Sequence, residues 1–117
     1  MPAAQYDITI EQGATFLLDL LWKDSNGTPV DLTGYAARMQ VRRKYDAPDP
    51  ALLSFTDANG AITLGGAAGT IAIKGLATLT DVVPAKQGVY DLELVAPNGD
   101  VTRLVAGIVI VTPEVTR

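Results

Sequence analysis

Three Asn-Gly pairs punctuate this chain, Asn26-Gly27, Asn59-Gly60 and Asn98-Gly99, and each stands between runs in which apolar residues alternate with others. Asn and Gly suit the positive φ of tight turns, and a period of two marks a strand with one buried face, so the pattern predicts a chain of hairpins. At 117 residues there is room for one domain. With 48% apolar and 19% charged residues, the chain can build a core and is too apolar for intrinsic disorder.

Tyr6 to Glu11 reads as the first strand, with Tyr6, Ile8 and Ile10 in alternation and Gly13 as punctuation. From Ala14 to Lys23, Phe16, Leu18, Leu20 and Trp22 share a core face opposite Leu17, Asp19, Leu21 and Lys23. Tyr35 to Lys44 sets Ala37, Met39 and Val41 on one apolar side and leaves its basic end in water. Tyr45 to Pro50 carries Pro48 and Pro50 and reads as an exposed connection. Short strands are expected at Leu52 to Phe55 and Ala61 to Leu64, flanking the second Asn-Gly, and at Thr70 to Lys74 after Gly65-Gly66-Ala67-Ala68-Gly69. Leu76 to Val83 lacks alternation and ends at Pro84, so it is the helical candidate, with Thr78 or Thr80 as its cap and Asp81 in its first turn. In the closing hairpin, Gly88 to Val95 and Val101 to Thr112, one core face is Tyr90, Leu92 and Leu94 and another is Leu104, Ala106, Ile108 and Ile110. About eight short strands with frequent turns predict an all-β fold, an immunoglobulin-like antiparallel β-sandwich with one short helical turn; a small barrel is the runner-up. Residues 1–5 are expected to form an N-terminal arm and 6–117 the single sandwich domain.

The chain has no cysteine and no histidine. That removes disulfides, the usual metal ligands, the commonest general base and the Ser-His or Cys-His nucleophile pairs. Asp91 and Glu93 fall on one strand face, which alternation assigns to the wet side of a sheet rather than to acid–base work. Asp24-Ser25-Asn26-Gly27 lacks the spacing of a calcium loop and reads as a turn. The glycine run at 65–69 lacks the Gly-Lys-Ser/Thr ending of a phosphate loop, and Ser25 and Ser54 have no neighbouring base. No enzymatic activity, metal, cofactor or small-molecule substrate is therefore expected. A net charge of −4 disfavours general nucleic-acid binding. The start shows no secretory signal, and the longest apolar stretch, Val101 to Val111, is far short of the roughly 20 residues a bilayer needs, so no membrane partner is expected.

Two places invite a protein partner. Arg42-Arg43-Lys44, with Arg38 nearby and Tyr45 beside it, is the one basic cluster and suits phosphate or an acidic surface. Tyr6, Ile8 and Ile10 mark a candidate edge strand, whose free amide and carbonyl groups can pair with another chain. Trp22, Tyr35, Tyr45 and Tyr90 are the aromatics that a carbohydrate-binding module would use, the reading from a different class.

Three segments carry a family resemblance: Glu11-Gln12-Gly13-Ala14-Thr15-Phe16; Trp22-Lys23-Asp24 through Val30-Asp31-Leu32-Thr33-Gly34-Tyr35 to Arg38-Met39-Gln40-Val41-Arg42; and Gly88-Val89-Tyr90-Asp91-Leu92-Glu93-Leu94. They resemble small structural proteins of tailed bacteriophages and prophages, and more distantly the N-terminal domain of phage baseplate upper proteins. The resemblance implies a non-enzymatic virion component, made in the host bacterial cytoplasm and contacting other virion structural proteins in symmetric multiple copies. Baseplate upper proteins continue into a stalk or receptor-binding region, whereas this sequence stops after its last expected strand, which favours a tail, baseplate or fibre-attachment adaptor. A capsid cement or decoration protein is the alternative.

Overall fold

The computed structural model describes residues 3–46, 51–84 and 86–115. Its strands, in chain order, are β1 (Ala4–Gln5), β2 (Ile8–Glu11), β3 (Phe16–Leu21), β4 (Ala36–Arg42), β5 (Leu53–Thr56), β6 (Ile62–Leu64), β7 (Thr70–Gly75), β8 (Gln87–Val95) and β9 (Val101–Thr112). A single helical turn, α1 (Ala77–Thr80), separates β7 from β8. One sheet has the order β1-β9-β8-β4-β5, with β2 continuing β1 along β9; the other has the order β3-β7-β6. The two face each other across one apolar core, the layout of an immunoglobulin-like sandwich.

β1 and β2 run parallel to β9, while every other pair is antiparallel. Ala4–Gln5, expected in a free arm, thus belongs to the sheet; Met1 and Pro2 lie outside the described residues. The parallel strand is interrupted at Tyr6–Asp7. There the Asp7 carboxylate accepts the Ile108 N–H at 2.9 Å in place of a backbone carbonyl.

Alternation explains most of the core. Ile8 and Ile10, Ala37, Met39 and Val41, and Tyr90, Leu92 and Leu94 all turn inward. Phe55 is fully buried at the centre and stacks on Phe16 with ring centroids 6.3 Å apart. Gly75 makes room for it, since a Cβ there would stand 3.0 Å from the Phe55 ring. An immunoglobulin domain with a disulfide pins its sheets covalently; here packing alone does so, at roughly 1.5–3 kcal/mol for each large side chain removed from water.

Only one of the three Asn-Gly pairs closes a hairpin between long paired strands, Asn98-Gly99 between β8 and β9. Asn59-Gly60 carries the chain from β5 in one sheet to β6 in the other. Asn26-Gly27 closes a small loop tied by a bridge between Lys23 and Pro29, after which the chain crosses sheets to β4. The local chemistry was read correctly, with Gly27, Gly60 and Gly99 all at positive φ, but a turn residue fixes a reversal and not the sheet that the next strand joins.

Two further expectations are corrected. In β9 the buried residues are Val105, Gly107, Val109 and Val111, whereas Leu104, Ala106 and Ile108 are half-buried and Ile110 is exposed on the outer face. Both faces of this strand are apolar, so its own pattern does not choose; pairing does, because Val105 lies opposite inward Leu92 and Gly107 opposite inward Tyr90. In α1 the N-cap is Leu76, with no side-chain cap, and Asp81 stands at the C-terminus rather than in the first turn. Thr80 is fully buried, and its hydroxyl donates to the Ala14 carbonyl at 2.7 Å, tying the turn to the β2–β3 connection.

Candidate interaction surface

The outer face of the larger sheet follows from the register. Successive cross-strand rows read Arg38–Glu93–Arg103, Gln40–Asp91–Ala106, Arg42–Val89–Ile108 and Gln87–Ile110–Thr9. A β-bulge between Leu92 and Glu93 makes Leu104 the extra residue, and this shift brings Arg103 outward beside Glu93. The face therefore grades from a charged end to an apolar end.

At the charged end Arg38 Nε donates to Glu93 Oε1 at 2.8 Å, and Arg103 Nε lies 3.2 Å from Asp91 Oδ2 and its Nη2 3.9 Å from Glu93 Oε2. Partial burial, reinforced by the neighbouring Glu93, raises the Asp91 carboxyl above its ordinary value, while Arg103, Arg38 and Arg42 pull it back. Asp91 and Glu93 thus stand on the outer face, where alternation placed them, and the register makes them members of a cross-strand charge ladder. At the apolar end Val89, Ala106, Ile108 and Ile110 lie side by side, with Ile110 48% exposed. Beside them a shallow depression of about 120 Å³ is lined by Gln40, Arg42, Tyr45, Val89, Tyr90 and Asp91. Tyr45 is 81% exposed.

The residues singled out from the sequence do not meet at one place. Ile8 and Ile10 lie on β2 and Tyr6 in the break before it, at one edge of the larger sheet; Ile8 and Ile10 bury their side chains in the core, so of these three only half-exposed Tyr6 and the backbone edge face outward. Arg42 is half-buried on β4 and donates to Gln40 Oε1 at 2.9 Å, while Arg43 and Lys44 are exposed beyond the strand end. β9 and β8 separate β2 from β4, so the two groups stand about 14 Å apart across the sheet at the usual strand spacing. Sequence reasoning missed the apolar end because it assigned Leu104, Ala106, Ile108 and Ile110 to the core. The signal available was that β9 is apolar on both faces, which leaves one of them over whichever is buried.

The aromatics assemble no single platform. Tyr90 is buried, Trp22 and Tyr35 pack edge to face on each other at 6.1 Å, and Tyr45 stands elsewhere. Asp24 serves its own turn, its carboxylate accepting the N–H groups of Asn26 and Thr28. The Asp31-Leu32-Thr33-Gly34 motif likewise has a structural task. Asp31 accepts both the hydroxyl and the N–H of Thr33, which holds its carboxyl below the ordinary range, and Gly34 takes φ 80°, so that Leu32 is delivered into the core.

No family model matches the sequence, and no curated protein matches it. Among solved structures, the extracellular domain of the voltage-gated sodium channel β4 subunit, described as a parallel homodimer in cell–cell adhesion, superposes at a TM-score of 0.43 with 12% identity, over 98% of this chain and 97% of that one. A second structure of sodium channel β subunits, studied for multimeric cell-adhesive interactions, gives 0.44 and 11% over 96% and 93%. Superpositions at this level assign no function.

Proposed function

We propose that the chain is a non-enzymatic structural module that binds a neighbouring protein through the outer face of its larger sheet, and that this neighbour is another structural protein of a tailed-phage virion, at the tail, baseplate or fibre attachment. The observation that carries the binding reading is the second apolar face of β9: half-buried Ala106 and Ile108 and exposed Ile110 line up beside half-buried Val89 on the outer face of the larger sheet. Antiparallel sheets facing water are ordinarily polar on that side, and a contiguous apolar patch with a charged rim is the anatomy of a protein interface. The charge ladder of Arg38, Glu93, Arg103 and Asp91 supplies the rim and a means of fixing register on the partner. The virion assignment rests on the sequence resemblance, whose motifs form turns and core strands and so travel with the fold.

The test is a comparison of particles assembled with the wild-type chain and with Ile108→Asp, a substitution on the open face that leaves the core intact. Cryo-electron microscopy is expected to show the wild-type chain at ordered, symmetry-related positions with its larger sheet against a neighbour, and to lose that density with Ile108→Asp. Absence of the wild-type chain from mature particles overturns the virion reading. Its presence with the larger sheet facing solvent overturns the interface.

A further inference from the structure

The smaller sheet has an edge that no strand covers. Because β1 and β2 pair with β9, no strand among the described residues is paired outside β3. In an antiparallel ladder, alternate residues direct both backbone polar groups to opposite edges. The Lys74 N–H donates to Ala61 on the β6 side, so Ile71, Ile73 and Gly75 serve Leu20, Leu18 and Phe16, and Leu17, Asp19 and Leu21 turn their amide and carbonyl groups to the open side. The chain beyond β3 keeps this phase. Trp22 donates to Gly69 and accepts from Val30, which leaves Lys23 directed outward like Leu21.

The side chains on this edge stand on the sheet's outer face, Leu17 67% and Leu21 50% exposed. Asp19 lies across from Ala72 and Lys23 across from Pro29, and neither charge has an ion-pair or hydrogen-bond partner among the described residues. Edge strands of monomeric proteins are commonly blunted by a bulge, a proline, a covering segment or charged side chains; among the described residues β3 has only the last of these, Asp19 on the strand and Lys23 just beyond its end. These two opposite charges flank an exposed leucine symmetrically.

We infer that this edge is a self-association surface, to which a second copy of the chain adds its own β3 antiparallel about a two-fold axis through Leu21. In that register Leu21 faces Leu21, Asp19 faces Lys23 twice, and the outward amides of Asp19, Leu21 and Lys23 all find partners. The neighbouring register, centred on Asp19, sets two carboxylates directly opposite each other, which is destabilising. The surface is thus self-complementary, as an isologous contact requires, and joins two three-stranded sheets into one. It lies on the other sheet from the apolar face of β9 and stands independently of the function proposed for that face.

Sedimentation equilibrium of the full chain at low salt, from micromolar to millimolar, tests it. The wild type is expected to dimerise reversibly, Asp19→Lys and Lys23→Asp each to weaken the dimer roughly tenfold or more, and the double exchange to restore it. Since the chain contains no cysteine, Leu21→Cys is expected to cross-link on oxidation, the facing Cα atoms being about 5.5 Å apart, whereas Thr63→Cys on β6 is not. A wild type that stays monomeric throughout, a dimer indifferent to Asp19→Lys, or a double exchange that fails to recover overturns the inference. A dimer broken by Ile108→Asp instead places self-association on the larger sheet, overturning this edge while leaving that face an interface.

Discussion

The Tyr90 hydroxyl donates a hydrogen bond to the Tyr6 carbonyl at 2.5 Å, joining positions 84 residues apart. Tyr90 lies on β8, and its side chain reaches across β9 to the break between β1 and β2. It serves the interruption at Tyr6–Asp7, where the Asp7 carboxylate accepts the Ile108 N–H and the Tyr90 hydroxyl supplies the Tyr6 carbonyl with a donor.

Tyr90→Phe is expected to cost about 1 kcal/mol at neutral pH, read as a shift in the urea midpoint. Burial raises the Tyr90 phenol from 10.0 to about 12. The folded state therefore holds this proton more tightly than the unfolded chain, and the stabilisation is complete below pH 10 and is lost as the pH rises to about 12. Wild type should lose stability across that window more steeply than Tyr90→Phe. Equal slopes would count against the bond.

Gly107→Ala should detach β1 and β2 from β9. A methyl at this position would collide with the Tyr6 carbonyl, a backbone atom that cannot swing aside. A loss of about 2–3 kcal/mol is expected, with hydrogen exchange accelerated at Ile8 to Glu11 before the rest of the sheet.

Thr80→Val keeps the volume of a fully buried side chain and removes the hydroxyl that serves the Ala14 carbonyl. An unsatisfied acceptor at that depth is expected to lower stability by about 1–3 kcal/mol. Thermal melts of the two proteins decide it.

Asp91→Asn tests the charge ladder. A carboxyl raised above its ordinary 3.8 contributes stability while protonated and loses that contribution as the pH rises through the folded value. The stability of Asp91→Asn relative to wild type should therefore be higher at neutral pH than below pH 3.8. Denaturation curves at both pH values showing no change in that difference would refute the assigned direction. The pull of the exposed Arg103 pair is already contained in that net upward direction, so its loss in the variant does not reverse the sign.

Strand existence was legible because burial on one face leaves a period of two: Phe16, Leu18 and Leu20, Ala37, Met39 and Val41, and Tyr90, Leu92 and Leu94 all sit where alternation placed them, core or near-core. The turn at Asp24 and the wet side at Asp91 and Glu93 were legible for the same reason, being set by neighbours a few residues away. The sequence by itself thus determined an all-β chain with one apolar core and no thiol or imidazole chemistry.

Only the tertiary structure decided which sheet each strand joins, which apolar face of β9 is left in water, and which edges stay open. These depend on pairings between distant positions, such as Ile8 with Val109 and Leu92 with Val105, that local pattern does not encode. Shifting β9 by one residue would exchange Ile108 and Val109 between core and surface at little change in composition, so the choice falls to the bulge at Leu92/Glu93 and to the space that Gly107 leaves for the Tyr6 carbonyl. The candidate interfaces are consequences of those choices, which is why they surfaced only once the strands were in place.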